Sequence, residues 1–283
     1  MARWYSLDLM VRRIVRFASA CALAGALTAG PVSAAQTPLR VGANLSGLVM
    51  AYHDPRSGAP VGFDIDLIRA IGAKLGVPVE IRDHAFDDLF KAVKDGTFDV
   101  AISGITDTRA RERIDDFVDY LLVGSGIIVQ RGNPKRIFSF DSLCGHSFAV
   151  EAGTTQQAAA EKASANCKAL GLRGVTILTF ASDDTAFAAF QSGKADVEST
   201  DFPVLAYRAR ISGGRYEVVG RQIDVQPYGI AVAKTHRALR DRIAHALAAL
   251  IADGTYDRLL QKWGLQPTAM RSAPVNAGTL FEK

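Results

Sequence analysis

Asp64-Ile65-Asp66 places two carboxylates two residues apart, a pair that could imitate a metal or sugar-nucleotide motif. The apolar residues that come after it at helical spacing give a plainer reading, in which both acids sit at a helix start and their charge favours its positive end. The other familiar catalytic frames are missing. No G-x-G-x-x-G follows an apolar run, no G-x-x-x-x-G-K-[ST] is present, and neither H-E-x-x-H nor G-x-S-x-G occurs. The five histidines are scattered, so a zinc site would lack ligands and no metal is expected. Chemistry, if any, must come from groups that the fold gathers from distant positions.

The elements that do the gathering begin after a leader. Arg12, Arg13 and Arg16 precede an apolar run of small residues from Phe17 to Ala29, and Pro31-Val32-Ser33-Ala34 offers small side chains for cleavage. Residues 1–34 are therefore expected to be a secretory signal peptide, the alternative being a short membrane anchor. The formal charge of +4 over 283 residues shrinks without them, because those residues hold four arginines and one acid. The remaining chain has 29 basic and 28 acidic side chains, with no concentration of positive charge, which argues against a nucleic-acid partner. Export also bears on Cys144 and Cys167, the cysteines left after processing. An even pair in an oxidising compartment predicts a disulfide, the alternative being two free buried thiols.

The exported part alternates apolar runs with amphipathic ones. Strands are expected at 39–43, 79–81 and 100–102, with helices from Phe63 to Leu75 and from Asp87 to Lys94 between them. This is a βαβαβ run and implies a mostly parallel sheet covered by helices. After an extended stretch at 127–129 the pattern restarts. Strands are expected at 147–150, 175–178 and 196–198, and helices at 154–169 and 184–191. Extended segments occur next at 218–219 and 225–233. Two helical faces come after them, one from Leu239, Ile243, Leu247, Leu250 and Ile251, the other from Tyr256, Leu259, Leu260 and Trp263. Pro267 to Lys283, rich in Pro, Ala, Ser and Gly, is expected to be a loosely attached tail.

Several short stretches, in order over roughly residues 38 to 265, carry a resemblance. They are Gly62-Phe63-Asp64-Ile65-Asp66-Leu67, Gly104-Ile105-Thr106-Asp107-Thr108-Arg109-Ala110-Arg111, Gly153-Thr154-Thr155, Gly193-Lys194-Ala195-Asp196, Tyr228-Gly229-Ile230-Ala231-Val232, Asp253-Gly254-Thr255-Tyr256 and Lys262-Trp263-Gly264. Together they resemble the periplasmic solute-binding proteins of polar amino-acid ABC importers, the bacterial extracellular solute-binding proteins of family 3. The resemblance implies an α/β chain with the two-lobed periplasmic binding protein fold (type II). Lobe 1 would comprise 38–127 plus 227–265 and lobe 2 residues 128–226, joined by two extended crossovers with the ligand cleft between them. Cys144 and Cys167 fit a subgroup with a bridge in the second lobe.

The same resemblance assigns roles. Arg111 would fork onto the ligand carboxylate, with Arg109 and Arg113 as alternatives in an arginine-rich stretch. Asp201 would accept the ligand ammonium or serve as a helix cap. Gly104 would offer a carbonyl and Thr106 a hydroxyl to the ammonium, and Thr155 its hydroxyl and N–H to the carboxylate, unless the threonines are simple caps. Phe86 matches an aromatic wall. Glu151 would face the distal end of the ligand or else solvent, and a cationic side chain there would suit it. The first-lobe loop departs from the pattern. It reads Asn44-Leu45-Ser46-Gly47-Leu48-Val49-Met50, with Gly47 in place of a covering aromatic, Met50 in a stretch that replaces a proline turn, and Ala110 where a glutamate normally precedes the arginine, with Glu112 nearby.

The resemblance implies a monomeric binding protein, not an enzyme and without cofactor. It would deliver an amino acid or related small carboxylated amine to an inner-membrane permease with a cytoplasmic ATPase. The alternatives are a periplasmic enzyme of the same fold resembling cyclohexadienyl dehydratase, with Glu151 as general acid, and a periplasmic ligand sensor.

Overall fold

A computed structural model describes residues 36–281, so the expected signal peptide lies outside the described residues. The first lobe begins with strand β1 (Leu39–Ala43), followed by a small antiparallel sheet of β2 (Ser46–Gly47), β3 (Ala51–His53) and β4 (Pro60–Val61). Helix α1 (Phe63–Leu75) buries Phe63, Ile65, Leu67, Ile68 and Ile71 and stops at Gly76, whose left-handed φ of 71° suits glycine. Strand β5 (Val79–Asp83), helix α2 (Leu89–Lys94), strand β6 (Val100–Ala101) and the one-turn helix α3 (Arg109–Glu112) complete this part. Strand β1 pairs in parallel with both β5 and β6.

Strand β7 (Asp115–Gln130) then runs 16 residues out of this lobe into the next. There β8 (Ser147–Glu151), α4 (Thr155–Ala169), β9 (Thr176–Phe180), α5 (Asp183–Gln191), β10 (Val197–Glu198) and α6 (Phe202–Ile211) succeed one another. Strand β11 (Tyr216–Ala233) returns along β7, antiparallel over almost its whole length, and α7 (Arg237–Ala252) and α8 (Thr255–Trp263) close the first lobe. The strand order β5-β1-β6-β11-β7-β10-β8-β9 makes one sheet whose two wings share the β7–β11 ribbon.

Each wing carries its own core. Val41, Phe63, Ile68, Val118, Ile230 and Leu247 belong to the first, and Ile127, Phe148, Val150, Cys167 and Val197 to the second. Between them the ribbon loses register, with shifts between Val219 and Ile223, between Ile223 and Gln226, and between Tyr228 and Gly229. Gly124 allows the strands to approach here, since a Cβ would lie 2.7 Å from the Ile223 carbonyl oxygen. Bulges bend and weaken pairing locally.

Two signature stretches owe their residue types to this packing. Asp66 on α1 accepts from Lys262 Nζ at 2.7 Å and Trp263 Nε1 at 2.8 Å, tying the first helix to the last. Gly62 lies so close to the Met50 carbonyl, 2.1 Å from a hypothetical Cβ, that no side chain fits.

The expectation of a loosely attached tail beginning at Pro267 is overturned. Thr268, Ala277 and Gly278 are buried, and the segment forms bridges from Ala269 to Leu121 and from Val275 to Val118. Composition misled because the tail has few large apolar residues, whereas its anchorage comes from backbone N–H groups that bond carboxylates elsewhere in the chain.

Cys144 and Cys167 form a disulfide with Cα atoms 5.5 Å apart, joining the loop before β8 to α4. Replacing both by alanine is expected to lower unfolding stability by about 2–4 kcal/mol, because the unfolded chain regains the freedom of the closed loop. Urea unfolding of the double variant measures this.

Candidate functional site

A cavity lies where the two wings face each other, and Arg111, Asp201, Thr106, Gly104, Thr155, Phe86, Glu151, Asn44 and Met50 all line it. The cleft is closed. Arg111 Nη2 donates to the Gly153 carbonyl at 3.0 Å, Asp183 N donates to Ser46 Oγ at 3.2 Å, and Gly153 is packed against Asp87.

Arg111 sits on α3, whose N-cap Thr108 accepts from the Arg111 N–H. Its guanidinium lies 5.5 Å from the Phe86 ring centroid and 5.0 Å from that of Phe90, and Nη1 donates to the Thr106 carbonyl at 2.8 Å. Such ring faces attract a guanidinium and fix its plane. Burial pushes the group down to about 10, with Tyr228 and Asp201 opposing that, so it stays charged at neutral pH. Arg109 and Arg113 are exposed and do not line the cavity.

Asp201 stands at the N-cap position of α6, yet its side chain makes no cap bond. Instead Oδ1 accepts from Tyr228 Oη at 2.5 Å and Gln156 Nε2 at 3.1 Å, while Oδ2 lies over Gly104. A Cβ at Gly104 would fall 2.9 Å from that oxygen, so glycine is needed for the close approach. Burial pushes the Asp201 carboxyl up to about 7, the Tyr228 bond pulling the other way. A backbone bridge between Asp201 and Ser125 and another between Thr106 and Tyr228 moor both sides of the site to the ribbon.

Thr154, not Thr155, caps α4 by accepting from Gln157 N, and Thr155 Oγ1 donates to Gln156 Oε1 at 3.2 Å. Thr155 opens the helix, whose first-turn N–H groups have no carbonyl of their own helix to bond. Asn44 lines the wall but its amide is occupied, donating to the His84 carbonyl at 3.3 Å and accepting from Ser46. Met50 is buried in the first core and presents one flank. Gly47 leaves this wall without a ring.

Glu151 faces the cavity from the end of β8, not solvent. Its Oε1 is buried and unpartnered, and burial, with Asp183 and Asp201 adding repulsion, pushes the carboxyl up to about 9.

Four residues of this neighbourhood escaped the sequence reading. Asp64 is not simply a helix-start acid; it is fully buried, accepts the Gly104 N–H at 2.7 Å, and burial pushes it up to about 7. Gln156 and Tyr228 orient Asp201. Asp183 opens α5 and lines the cavity, with Oδ1 buried and unpartnered. Its other oxygen accepts from Arg208 Nη2 at 2.8 Å. Arg208, itself buried, also reaches Glu198 at 3.3 Å and lies 4.2 Å from the Phe187 centroid. Burial holds Glu198 well above the usual carboxylate range despite the arginine beside it. Among the described residues lining the cavity Arg111 is the one cation, facing Asp201, Glu151 and Asp183.

The family profile described as bacterial extracellular solute-binding proteins, family 3, matches residues 39–266. The chain belongs to this family. An arginine-binding protein of Corynebacterium glutamicum is 32% identical over 220 residues, covering 77% of this chain and 72% of that protein. Among solved structures, an ancestral arginine-binding protein bound to arginine superposes with a TM-score of 0.75 at 35% identity, covering 81% of this chain and 99% of that one. An ancestral amino-acid-binding protein described as a precursor of cyclohexadienyl dehydratase gives 0.72 at 34% identity, covering 80% and 95%. The two-lobed fold is thus that of the family, with its cleft at the lobe interface, where ligand sites are often built.

The Arg208 cluster tests how that cleft is held. Arg208→Ala is expected to lower unfolding stability by about 3–5 kcal/mol, since it strands buried Asp183 and Glu198. Glu198→Gln should cost far less, because its amide oxygen can still accept from Nη1. Urea unfolding of both variants measures the difference.

Proposed function

We propose that this chain is the periplasmic solute-binding component of an ABC importer, and that its ligand is an α-amino acid whose side chain ends in a cation, of the arginine type. The observation that carries this reading is the charge balance of the cleft. An α-carboxylate meets Arg111 and an α-ammonium meets Asp201, which leaves Glu151 and Asp183 for the far end of the ligand. Two carboxyls with one buried oxygen each unpartnered suit a planar, multi-donor cation. The named ligands of the arginine-binding relatives agree with this chemistry.

On this reading Gly104 and Thr106 complete the ammonium site, the start of α4 at Thr155 adds N–H donors to the carboxylate, and Phe86 covers the backbone of the ligand. Asn44 acts by holding Ser46 in place, and Met50 by filling the wall. The lobes, with boundaries near residues 127 and 227, open on the ribbon to admit the ligand. Delivery is to a membrane permease driven by a cytoplasmic ATPase, and the binding protein acts as a monomer.

Glu151 supports a second reading. A buried carboxyl that keeps its proton at neutral pH can act as a general acid, the role it would have in a dehydratase of this fold. The charge balance opposes it. A ring substrate with two carboxylates would place the second among Glu151, Asp183 and Asp201, where no lining cation waits. Incubation with prephenate or arogenate is expected to leave both unconverted.

Calorimetry tests the leading reading. L-Arginine is expected to bind at least about 30-fold more tightly than citrulline, its neutral isostere, because a neutral end removes one partner of the buried charge pair that the guanidinium forms with Glu151, a loss that costs about 2–5 kcal/mol. Equal affinities would overturn the cationic end. Arg111→Ala should weaken arginine by about 30-fold to several thousand-fold, and Arg111→Lys should recover only part of this.

Binding is also expected to release protons. Glu151 carries its proton at pH 7 when its pKa is about 9, and a cation placed beside it pulls that value down. Asp201, near 7, responds in the same direction to an ammonium. Affinity should therefore rise with pH between about 6 and 9, and titrations in buffers of different ionisation enthalpy should report net proton release.

A further inference from the structure

We propose that residues 274–281 form a strap that positions the carboxylate-binding loop, residues 106–113, and thereby sets the placement of the Arg111 guanidinium. The proposal uses Arg111 as the carboxylate contact but concerns a segment that lies beyond the residues matched by the family profile.

The strap is fastened at both ends. On the sheet side, Asp119 N donates to the Pro274 carbonyl at 3.0 Å and Asn276 N to the Phe117 carbonyl at 3.0 Å. Asn276 Oδ1 accepts from Phe117 N at 2.7 Å, so strand β7 holds it by backbone and side chain together. Three successive residues then bond carboxylates, the first on β7 and the next two on the loop. Ala277 N donates to Asp119 Oδ2 at 3.0 Å, Gly278 N to Asp107 Oδ2 at 2.9 Å, and Thr279 N to Glu112 Oε1 at 2.9 Å. Thr279 Oγ1 adds a bond to Glu112 Oε2 at 2.5 Å.

The two loop carboxylates, Asp107 and Glu112, bracket Arg111. Asp107 lies four residues before it and directly after Thr106, whose carbonyl accepts from Nη1. Glu112 is its neighbour on α3. A four-residue helix cannot hold itself in place, because so short a segment forms too few bonds to offset its nucleation cost. Thr108 caps one end and the strap holds the other. Glu112 is also the acid beside the arginine where the family pattern would put one at Ala110, and here it is engaged from outside the loop.

The fit is tight. A Cβ on Gly278 would lie 2.2 Å from the Asp107 carbonyl oxygen, so the strap lies flat on the loop backbone. Burial raises both Asp107 and Asp119 above the usual carboxylate range, as befits acids covered by the strap.

The experiment compares the full chain with Gly278→Ala, Thr279→Val, Thr279→Ser and a chain ending at residue 273. Each is titrated with L-arginine and with agmatine, which keeps the cation but lacks the carboxylate. Amide hydrogen exchange over residues 106–113 is followed in the free proteins. If the strap positions Arg111, Gly278→Ala and the truncation weaken arginine about tenfold or more and agmatine less than about twofold. Thr279→Val shows a smaller version of this pattern and Thr279→Ser behaves like the parent. Exchange of the loop amides accelerates about tenfold in the truncated chain while that of β1 and β8 is unchanged. Equal losses for both ligands would reduce the segment to general stabilisation and overturn the proposal, as would unchanged arginine affinity. If the parent binds agmatine as tightly as arginine, or binds neither, the ligand reading fails instead. The exchange measurement, which needs no ligand, then decides, and unaltered loop exchange overturns the strap.

Discussion

The antiparallel pairing of β7 with β11 is the interaction on which the other parts of the molecule depend. Both wings of the sheet include these strands, so each core is built against a different half of one ribbon. The ribbon also delivers the site. Tyr228 of β11 holds Asp201, Thr106 bridges to Tyr228, Asp201 bridges to Ser125 of β7, and the C-terminal segment pairs with β7 before it reaches the Arg111 loop. The register breaks between Val219 and Gly229 lie between the two cores, where a bend in the ribbon would change the width of the cleft.

The parts of the fold that the sequence made legible are those whose stability is local. Helix α1 announced itself through Leu67, Ile68 and Ile71 and through Gly76 at its end, and β1, β8 and α4 were equally plain. The small sheet of β2 to β4 leaves no mark in the apolar pattern, because strands of two or three residues carry no periodicity. Only the far end of β7, at 127–129, was read as extended. Asp115, Asp116 and Asp119 interrupt its apolar pattern, and they are tolerated because Lys234, Arg240, Asn276 and Ala277, all more than a hundred residues away, come to bond Asp116 and Asp119. Asp115 is buried without such a bond.

The site divides in the same way. Arg111, Asp201, Thr106 and Glu151 were named because the resemblance fixed their spacing, and all four line one cavity. Asp183 was invisible. It reads as an ordinary acid at a helix start, and its distinction comes from Arg208, 25 residues further on, which takes one oxygen and leaves the other buried. Asp64 was misjudged for the same reason, since its partner is the Gly104 N–H across the lobe. No window of sequence contains these relations.

On the proposed reading, the electrostatics of the cleft would give closure its selectivity. Bringing the wings together takes Asp201, Glu151 and Asp183 out of water, with Arg111 near Asp201 and Arg208 already paired with Asp183, and burying the carboxyl of Glu151 beside them is costly unless a proton or a cation accompanies it. Protons are one answer, and the raised Glu151 and Asp201 show the site leaning that way. On the proposed reading, a ligand that brings its own cations is the better answer, because it would replace the protons and add directed hydrogen bonds. A neutral side chain would bring no charge to Glu151 and would leave the closed cleft with its penalty. On the same reading Arg111 would enforce the complementary demand. It bonds the Thr106 and Gly153 carbonyls and lies near the Phe86 and Phe90 rings, so an amine without a carboxylate would leave the guanidinium with only carbonyl partners. Selection then lies in the free energy of the closed form, which the correct distribution of charge on a ligand lowers from both ends.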